Sequence, residues 1–467
     1  MKYKRLFPLF LTLFMAAGCG SSNGDKSFYD LVDREFGIVT NVEPYTVKDT
    51  KTINDDGYFK WHGRHYKDNS LDAEFFSWSN AGFEVTFVGT TLEASLLTTN
   101  ADKDKDRPYI AVAIDNDYDP SHATPIQLTS LDHSNSEKRV GGYFSHAHVV
   151  LAHGLENKEH TVRIYKRSEI NNSKVALKSV STDGSFLPVK AKELDLKMEF
   201  YGDSVTCGYA VESNDFYENF STRCENSMKS FANFAANYLN ADASLISCGG
   251  YPIYKSEYAK GNPDNIPAMF SRADNDWNVT KPIAWDNNLY IPDVVVIALG
   301  ANDGSYLAKF KEGSTAYNMA LSKYKTKYIE FLDTIFAAYP ATQVVVSDEV
   351  IPIKKVYDDI MDEIVVEYNA SHTLTHPLMR VKYDSYERSK DKTMPGAGHP
   401  NETMQHIAGK ELAEANQTCR DFLDYWESGE GVEKIGEAEA FADIRLMPAR
   451  TKCVTTVWRS FISHQNA

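Results

Sequence analysis

The sequence predicts two folds in series: an all-β sandwich or jelly roll over residues 27–190, then a three-layer α/β unit around a parallel sheet over residues 191–420. Two observations predict this. The first part carries short runs, several alternating apolar with polar, between Gly, Asn and Asp clusters, as half-buried antiparallel strands do. The second carries continuously apolar runs separated by helical periodicity, as a parallel sheet covered on both faces requires. Composition agrees: 42% hydrophobic, 24% charged and 12% aromatic residues exclude a collagen-like, coiled-coil or wholly disordered chain. The 467 residues have room for two or three domains, each with its own core.

In chain order, residues 1–18 read as an export signal: Lys2, Lys4 and Arg5, the apolar stretch Leu6 to Ala17, then small residues before a cysteine. Ala16-Ala17-Gly18-Cys19 resembles the signal of bacterial lipoproteins. That resemblance implies that Cys19 is lipidated as the first mature residue and anchors the protein to the bacterial envelope, at the outer membrane or cell surface. A plain secretory signal is the alternative. Residues 19–26, including Ser21-Ser22-Asn23-Gly24-Asp25, form a polar tether. The formal net charge is −16, so acyl chains alone would hold the chain at a membrane. An acidic surface also repels phosphate backbones and argues against a nucleic-acid partner. No apolar run approaches the ~20 residues of a bilayer span.

Strands are predicted at Phe83 to Val88, Tyr109 to Ile114 and His160 to Tyr165. In the second part they are predicted at Ala243 to Ser247, Val294 to Leu299 and Val344 to Val346. Leu194 to Tyr201 alternates, and joins the sheet by position rather than by pattern. One helix places Met228, Phe231, Ala235 and Tyr238 on a stripe. A second carries Leu321, Tyr324, Tyr328, Phe331, Leu332 and Ile335 and ends before Pro340. Residues 421–467 form an irregular C-terminal extension. Of six cysteines, Cys19 is assigned to lipid. Cys419–Cys453 is the preferred bridge in an oxidising compartment, and at most one pair can form among Cys207, Cys224 and Cys248. Zinc-ligand spacing does not occur.

Four segments carry chemistry. Gly202-Asp203-Ser204 follows a strand, where a tight turn exposes a serine Oγ; its alternative is a turn in which Asp203 or Ser204 caps a helix. Ser247-Cys248-Gly249-Gly250 lets a backbone N–H approach a ligand. Gly300-Ala301-Asn302-Asp303 brings an amide side chain to the same sheet edge. Gly398-His399-Pro400 precedes a helix starting near Asn401. These are the parts of an acyl-transfer site. Ser204 is the nucleophile and His399 the proton acceptor. The N–H groups of Ser204 and Gly250 and the Asn302 amide form the oxyanion hole, with Asp203 in support.

At these residues the chain resembles the SGNH (GDSL-type) hydrolases, whose blocks centre on Ser, Gly, Asn and His in this order. It is most similar to carbohydrate esterase family two, on Gly202 to Tyr209, Ile253-Tyr254-Lys255 and Pro292 to Asp303. Ala81 to Phe87 and His160 to Lys166 look like that family's jelly-roll domain. The resemblance implies a flavodoxin-like parallel sheet and a serine esterase that removes acetyl groups from polysaccharides or oligosaccharides without a cofactor. Alignment on Ile253-Tyr254-Lys255 favours Gly250 over Gly249 in the oxyanion hole. One position departs: SGNH enzymes commonly carry Asp three residues before the histidine, where this chain has Gly396. A Ser–His dyad oriented by a backbone carbonyl near Pro395 to Ala397 is expected instead. A lipase or lysophospholipase, and a glycan-binding lipoprotein without catalysis, are the alternatives.

Other signals carry less. His146, His148 and His153 form a cluster in the β part, but no carboxylate stands at matching spacing. Trp277, Trp285, Tyr251 and Tyr254 flank the site segments and read singly as loop anchors. The acidic run Asp358 to Glu367 reads as a solvated helix face. Neither Gly-rich nucleotide-binding motif is present.

Overall fold

The computed structural model describes residues 32–33, 38–39, 44–99, 105–128, 137–139, 142–190, 192, 194–215, 218–259, 264–275, 282–351, 353–383 and 398–427. The first part is a two-stranded ribbon, Val32–Asp33 with Ile38–Val39, and two larger antiparallel sheets. One runs Thr124–Gln127, Tyr109–Ile114, Lys158–Lys166, Gly82–Gly89, Ser185–Leu187, with Lys60–His62 also on Gly82–Gly89. The other runs Glu137–Arg139, Gly142–Ala152, Leu92–Thr98, Val175–Thr182, Ala73–Phe75, Tyr66–Asp68, with Asp49–Thr52 on Val175–Thr182. Phe83, Val85 and Phe87 of the first sheet share one core with Ala94, Leu96 and Leu177 of the second. Tyr109–Ile114 is apolar on both faces because both are covered: Ile110, Val112 and Ile114 enter that core, while Ala111 and Ala113 pack with Tyr165 and with Met228 of the second part.

The second part is a five-stranded parallel sheet. Its strands are β1 (Leu196–Gly202), β2 (Ala241–Ser247), β3 (Val294–Ala298), β4 (Gln343–Ser347) and β5 (Met379–Val381), in the order β2-β1-β3-β4-β5. Helices α1 (Phe231–Tyr238), α2 (Ala301–Leu307), α3 (Thr315–Ala338), α4 (Lys355–Ser371) and α5 (Glu402–Glu427) connect or follow them. Met198, Phe200, Leu245 and Val296 meet Phe231 and Ala235 of α1 and Ala408 and Leu412 of α5 on one face. Tyr201, Val295, Ile297 and Val346 meet Tyr324, Phe331 and Ile335 of α3 and Met361 and Ile364 of α4 on the other. This is the three-layer arrangement. The strand order reverses direction at β1, so the loops after β1 and β3 part at the carboxyl edge and leave a crevice there.

Where the structure differs from the sequence reading, the reasons are local. The alternation in β1 arises because Glu199 is fully buried in the sheet and paired with Arg64 of the sandwich at 3.1 Å. Met228 lies in a 3-10 turn, Ser227–Lys229, ahead of α1, and Tyr238 is 47% exposed, off the buried stripe. The α5 helix runs to Glu427, past position 420, because no Gly or Pro interrupts it there. The acidic face of α4 is ion-paired: Asp358 and Asp362 hold Arg380 and Lys382, and Glu363 and Glu367 hold Lys325. Among the described residues no helix is long and apolar enough to cross a membrane. Cys207, Cys224 and Cys248 are free and buried. Cys19, Cys453 and the Cys419 side chain lie outside the described residues.

Candidate active site

The β1 strand stops at Gly202 because the chain turns back on itself at once: a Cβ there would lie 1.9 Å from Thr206 Oγ1. The turn that follows is closed by three backbone bonds, Cys207 N–H to Asp203 O, Gly208 N–H to Val205 O and Tyr209 N–H to Ser204 O. Gly208 takes the left-handed region at φ +72°. Asp203 is buried, and its Oδ1 accepts the Val205 N–H at 3.0 Å. It caps this turn, and no helix begins here. Ser204 is left half-buried at the carboxyl edge of the sheet.

His399 arrives from the other end of the chain. Its Nε2 lies 2.9 Å from Ser204 Oγ, across 195 positions of sequence. The Tyr209 ring meets the imidazole edge-on with centroids 4.4 Å apart. Gln405, buried on α5, donates to Val205 O at 3.0 Å and accepts the Phe231 N–H at 2.8 Å, tying the helix after His399 to the serine turn. Gly396 and the carbonyls of Pro395 to Ala397 lie outside the described residues, so the group expected to orient the imidazole does too.

Asn302 stands at the start of α2, and its Nδ2 donates to Asp203 Oδ2. A carboxylate only accepts, so it fixes the amide with its nitrogen toward Asp203; the same Nδ2 lies 3.5 Å from Tyr251 O of the glycine loop. Asp203 in turn is hydrogen-bonded to Glu349, which requires a proton on one of the two. Burial raises Asp203 to about 6. Burial, then the charge of Asp203, pushes Glu349 well above the carboxylate range. Both shifts favour a proton retained within the pair. Glu349 Oε1 also takes the Ala301 N–H at 2.6 Å.

Of the two glycines, Gly249 gives its N–H to Glu169 Oε2. Gly250, at φ +83°, has no hydrogen-bond partner for its N–H among the described residues. Asp303 accepts the N–H groups of Ile253, Tyr254 and Lys255 at 2.9, 2.8 and 3.1 Å, pinning the glycine loop to α2. The structure thus brings Ser204, His399, Asp203 and Asn302 together, with the glycine loop tied beside them. Cys19 lies outside the described residues.

Sequence reasoning missed Glu349, Glu169, Tyr209 as a brace, and Tyr258. A Cβ on Gly250 would be 2.9 Å from Tyr258 Cβ, and Tyr258 is 65% exposed beside the loop. No signal in the sequence marks these acids. Trp285 and Tyr251 are buried anchors, Tyr254 packs edge-on to Tyr306, and Trp277 is outside the described residues. The three histidines of the β part do not converge: His148 pairs with Glu93 and His153 with Thr91. One set of side chains among the described residues is close enough to share an ion, Glu169, Cys207 and Glu225. There the buried Lys166 amine, bonded to the carbonyls of Ser168 and Glu169, already supplies positive charge. A cleft of about 690 Å³, lined by Asn116, Tyr118, Lys192, Asn237 and His406, opens beside the amino ends of β1 and β2, away from Ser204.

Residues 61–189 match the carbohydrate esterase 2 N-terminal family, and residues 200–407 match the GDSL-like Lipase/Acylhydrolase family. The cellulase/esterase CelE of Acetivibrio thermocellus is 29% identical over 256 residues, 54% of this chain and 28% of that protein. An acetylxylan esterase / glucomannan deacetylase of Cellvibrio japonicus is 27% identical over 268 residues, 57% of this chain and 66% of its own. The chain thus spans less than two thirds of either relative. A solved family two carbohydrate esterase from Cellvibrio japonicus superposes with TM-score 0.63 at 23% identity, covering 80% of this chain and 99% of that one. The chain thus carries a carbohydrate esterase 2 N-terminal domain followed by a GDSL-like lipase/acylhydrolase domain, an order consistent with the SGNH hydrolases of carbohydrate esterase family two.

Proposed function

We propose that this protein is a serine esterase that removes O-acetyl groups from polysaccharides or oligosaccharides. The observation that carries the reading is the 2.9 Å approach of Ser204 Oγ to His399 Nε2. In the proposed reaction Oγ attacks the acetyl carbonyl carbon as its proton passes to Nε2. The Ser204 and Gly250 N–H groups and Asn302 Nδ2 receive the oxyanion. Collapse breaks the bond to the sugar oxygen, which takes the proton from His399 and leaves an acetyl-serine. Water, deprotonated by His399, then attacks the acetyl carbon; the bond to Oγ breaks, Ser204 takes the proton back from His399, and acetate leaves. The substrate class is supported by the name of the Cellvibrio relative and by the exposed ring of Tyr258 beside the site, a surface on which a sugar can stack.

The test is hydrolysis of 4-nitrophenyl acetate and acetate release from acetylated xylan. Ser204→Ala should lower kcat by at least about 10⁴-fold. Equal turnover in both proteins rejects the reading. Hydrolysis of long acyl esters without acetate release would make the protein a lipase. Glycan binding that survives Ser204→Ala, without turnover in the wild type, would make it a binding protein.

We also propose that the chain is lipid-anchored through Cys19, on the strength of the charged start, the apolar stretch and Ala-Ala-Gly-Cys. Labelled palmitate should be incorporated by a bacterial host expressing the full chain and lost in Cys19→Ala. Equal labelling of both would refute the anchor.

A further inference from the structure

The sandwich ends where the hydrolase loops begin, and one of its carboxylates crosses over. Glu169 follows the strand Lys158–Lys166 and is buried. Its Oε2 accepts the Gly249 N–H from the loop after β2 and lies 3.8 Å from Cys207 Sγ in the turn after β1. Its Oε1 accepts Asn172 Nδ2 at 2.8 Å. Its own N–H donates to Glu225 Oε2 at 2.8 Å. A Cβ on Gly249 would sit 3.0 Å from both carboxylate oxygens, so only a glycine admits this approach freely.

We propose that Glu169 is a positioning residue of the oxyanion hole: by holding the Gly249 N–H it fixes the Cys248–Gly249 peptide, and so helps aim the next amide, the Gly250 N–H, at the acyl carbonyl beside Ser204. The sandwich then belongs to the catalytic apparatus. The argument is one of adjacent amides. Gly250 has a positive φ and no side chain to hold it; Asp303 pins the loop three residues further on and the Tyr251 N–H returns to Cys248 O, and the Glu169 bond adds an anchor on the amide immediately before it. A misplacement of about 1 Å at such a donor costs on the order of 100-fold in rate. Burial raises the proton affinity of both Glu169 and Glu225, while the buried Lys166, itself lowered to about 8, offsets one negative charge. Glu169 also reaches Cys207, so one carboxylate joins two of the loops that supply donors.

The proposal rests on the esterase reading for its catalytic half, and two readouts on the full-length chain separate the two. Hydrogen exchange over residues 247–251 should be at least about tenfold faster in Glu169→Ala, without a matching change in the sheet strands. For 4-nitrophenyl acetate, kcat should fall about 100-fold with KM within threefold. Glu169→Gln keeps an acceptor oxygen and should recover most of the lost kcat. If the alanine variant does not fold, Glu169→Gln carries the test, with a smaller kcat loss and faster exchange confined to the same loop. Unchanged exchange in a folded variant overturns the anchoring. Faster exchange with kcat within threefold overturns the catalytic role. A wild type without Ser204-dependent turnover sinks the esterase reading and with it the catalytic role, while exchange still decides the anchoring.

Discussion

Two of the places where the sandwich meets the hydrolase part are built on opposite principles. At mid-sheet, Arg64 is fully buried and every direction of its guanidinium is used. It meets Glu199, the Tyr201 hydroxyl at 2.9 Å, and the carbonyls of Met269, Phe270 and Arg272 at 2.8 to 2.9 Å. One cation answers one anion. At the carboxyl edge, the single amine of Lys166 faces two carboxyls, Glu169 and Glu225, and beyond them Asp203 and Glu349 share a proton. The first place is matched in charge and far from the reacting atoms. The second is over-supplied with acid and touches loops that carry them. Buried charge serves stability in one region and aim in the other.

Three measurements sharpen or break that contrast. The largest effect is expected from Arg64→Ala, which leaves Glu199 buried without its partner. It should cost about 3–5 kcal/mol in a urea unfolding experiment, with kcat per folded molecule within threefold. A parallel loss of kcat would erase the distinction between strut and edge. Next is Asn302→Ala, which should lower kcat about 100- to 1000-fold while moving unfolding free energy by less than about 1 kcal/mol. The smallest is a pH effect. Folded Asp203 keeps its proton up to about 6, whereas an unfolded aspartate releases it near 4, so between these values the folded state binds more protons. Stability from this group is therefore complete below pH 4 and lost as pH rises through 6, by at most about 3 kcal/mol. Asp203→Asn should flatten that slope, compared by urea midpoints at pH 4 and 6.5. An unaltered slope would show that the edge carboxyls do not titrate as a unit.

Much of the fold was legible because it is written in near neighbours. Apolar runs marked β2, β3 and β4 to within two residues, and Gly202, Gly249 and Gly250 marked the turns after β1 and β2. The Ser, Gly, Asn and His segments were legible because each sits at a strand end or before a helix. What the sequence concealed is pairing at long range. Arg64 and Glu199 are 135 positions apart, and Glu169 and Gly249 80, so neither leaves a periodic trace. Glu199 in fact disturbed the pattern of β1, since a paired charge looks like an exposed residue when only spacing is read. Tyr238 misled for the converse reason: an amphipathic ring fits a stripe without being buried by it.

The three thiols at this junction have a practical consequence. Cys207, Cys224 and Cys248 are each at most 1% exposed, and burial raises all three above the ordinary thiol range, so alkylating reagents meet neither surface nor thiolate in the native protein. Modification of any of them records an opening of the junction between sandwich and hydrolase. The chain thus contains its own clock for that event, one that ticks without an added probe.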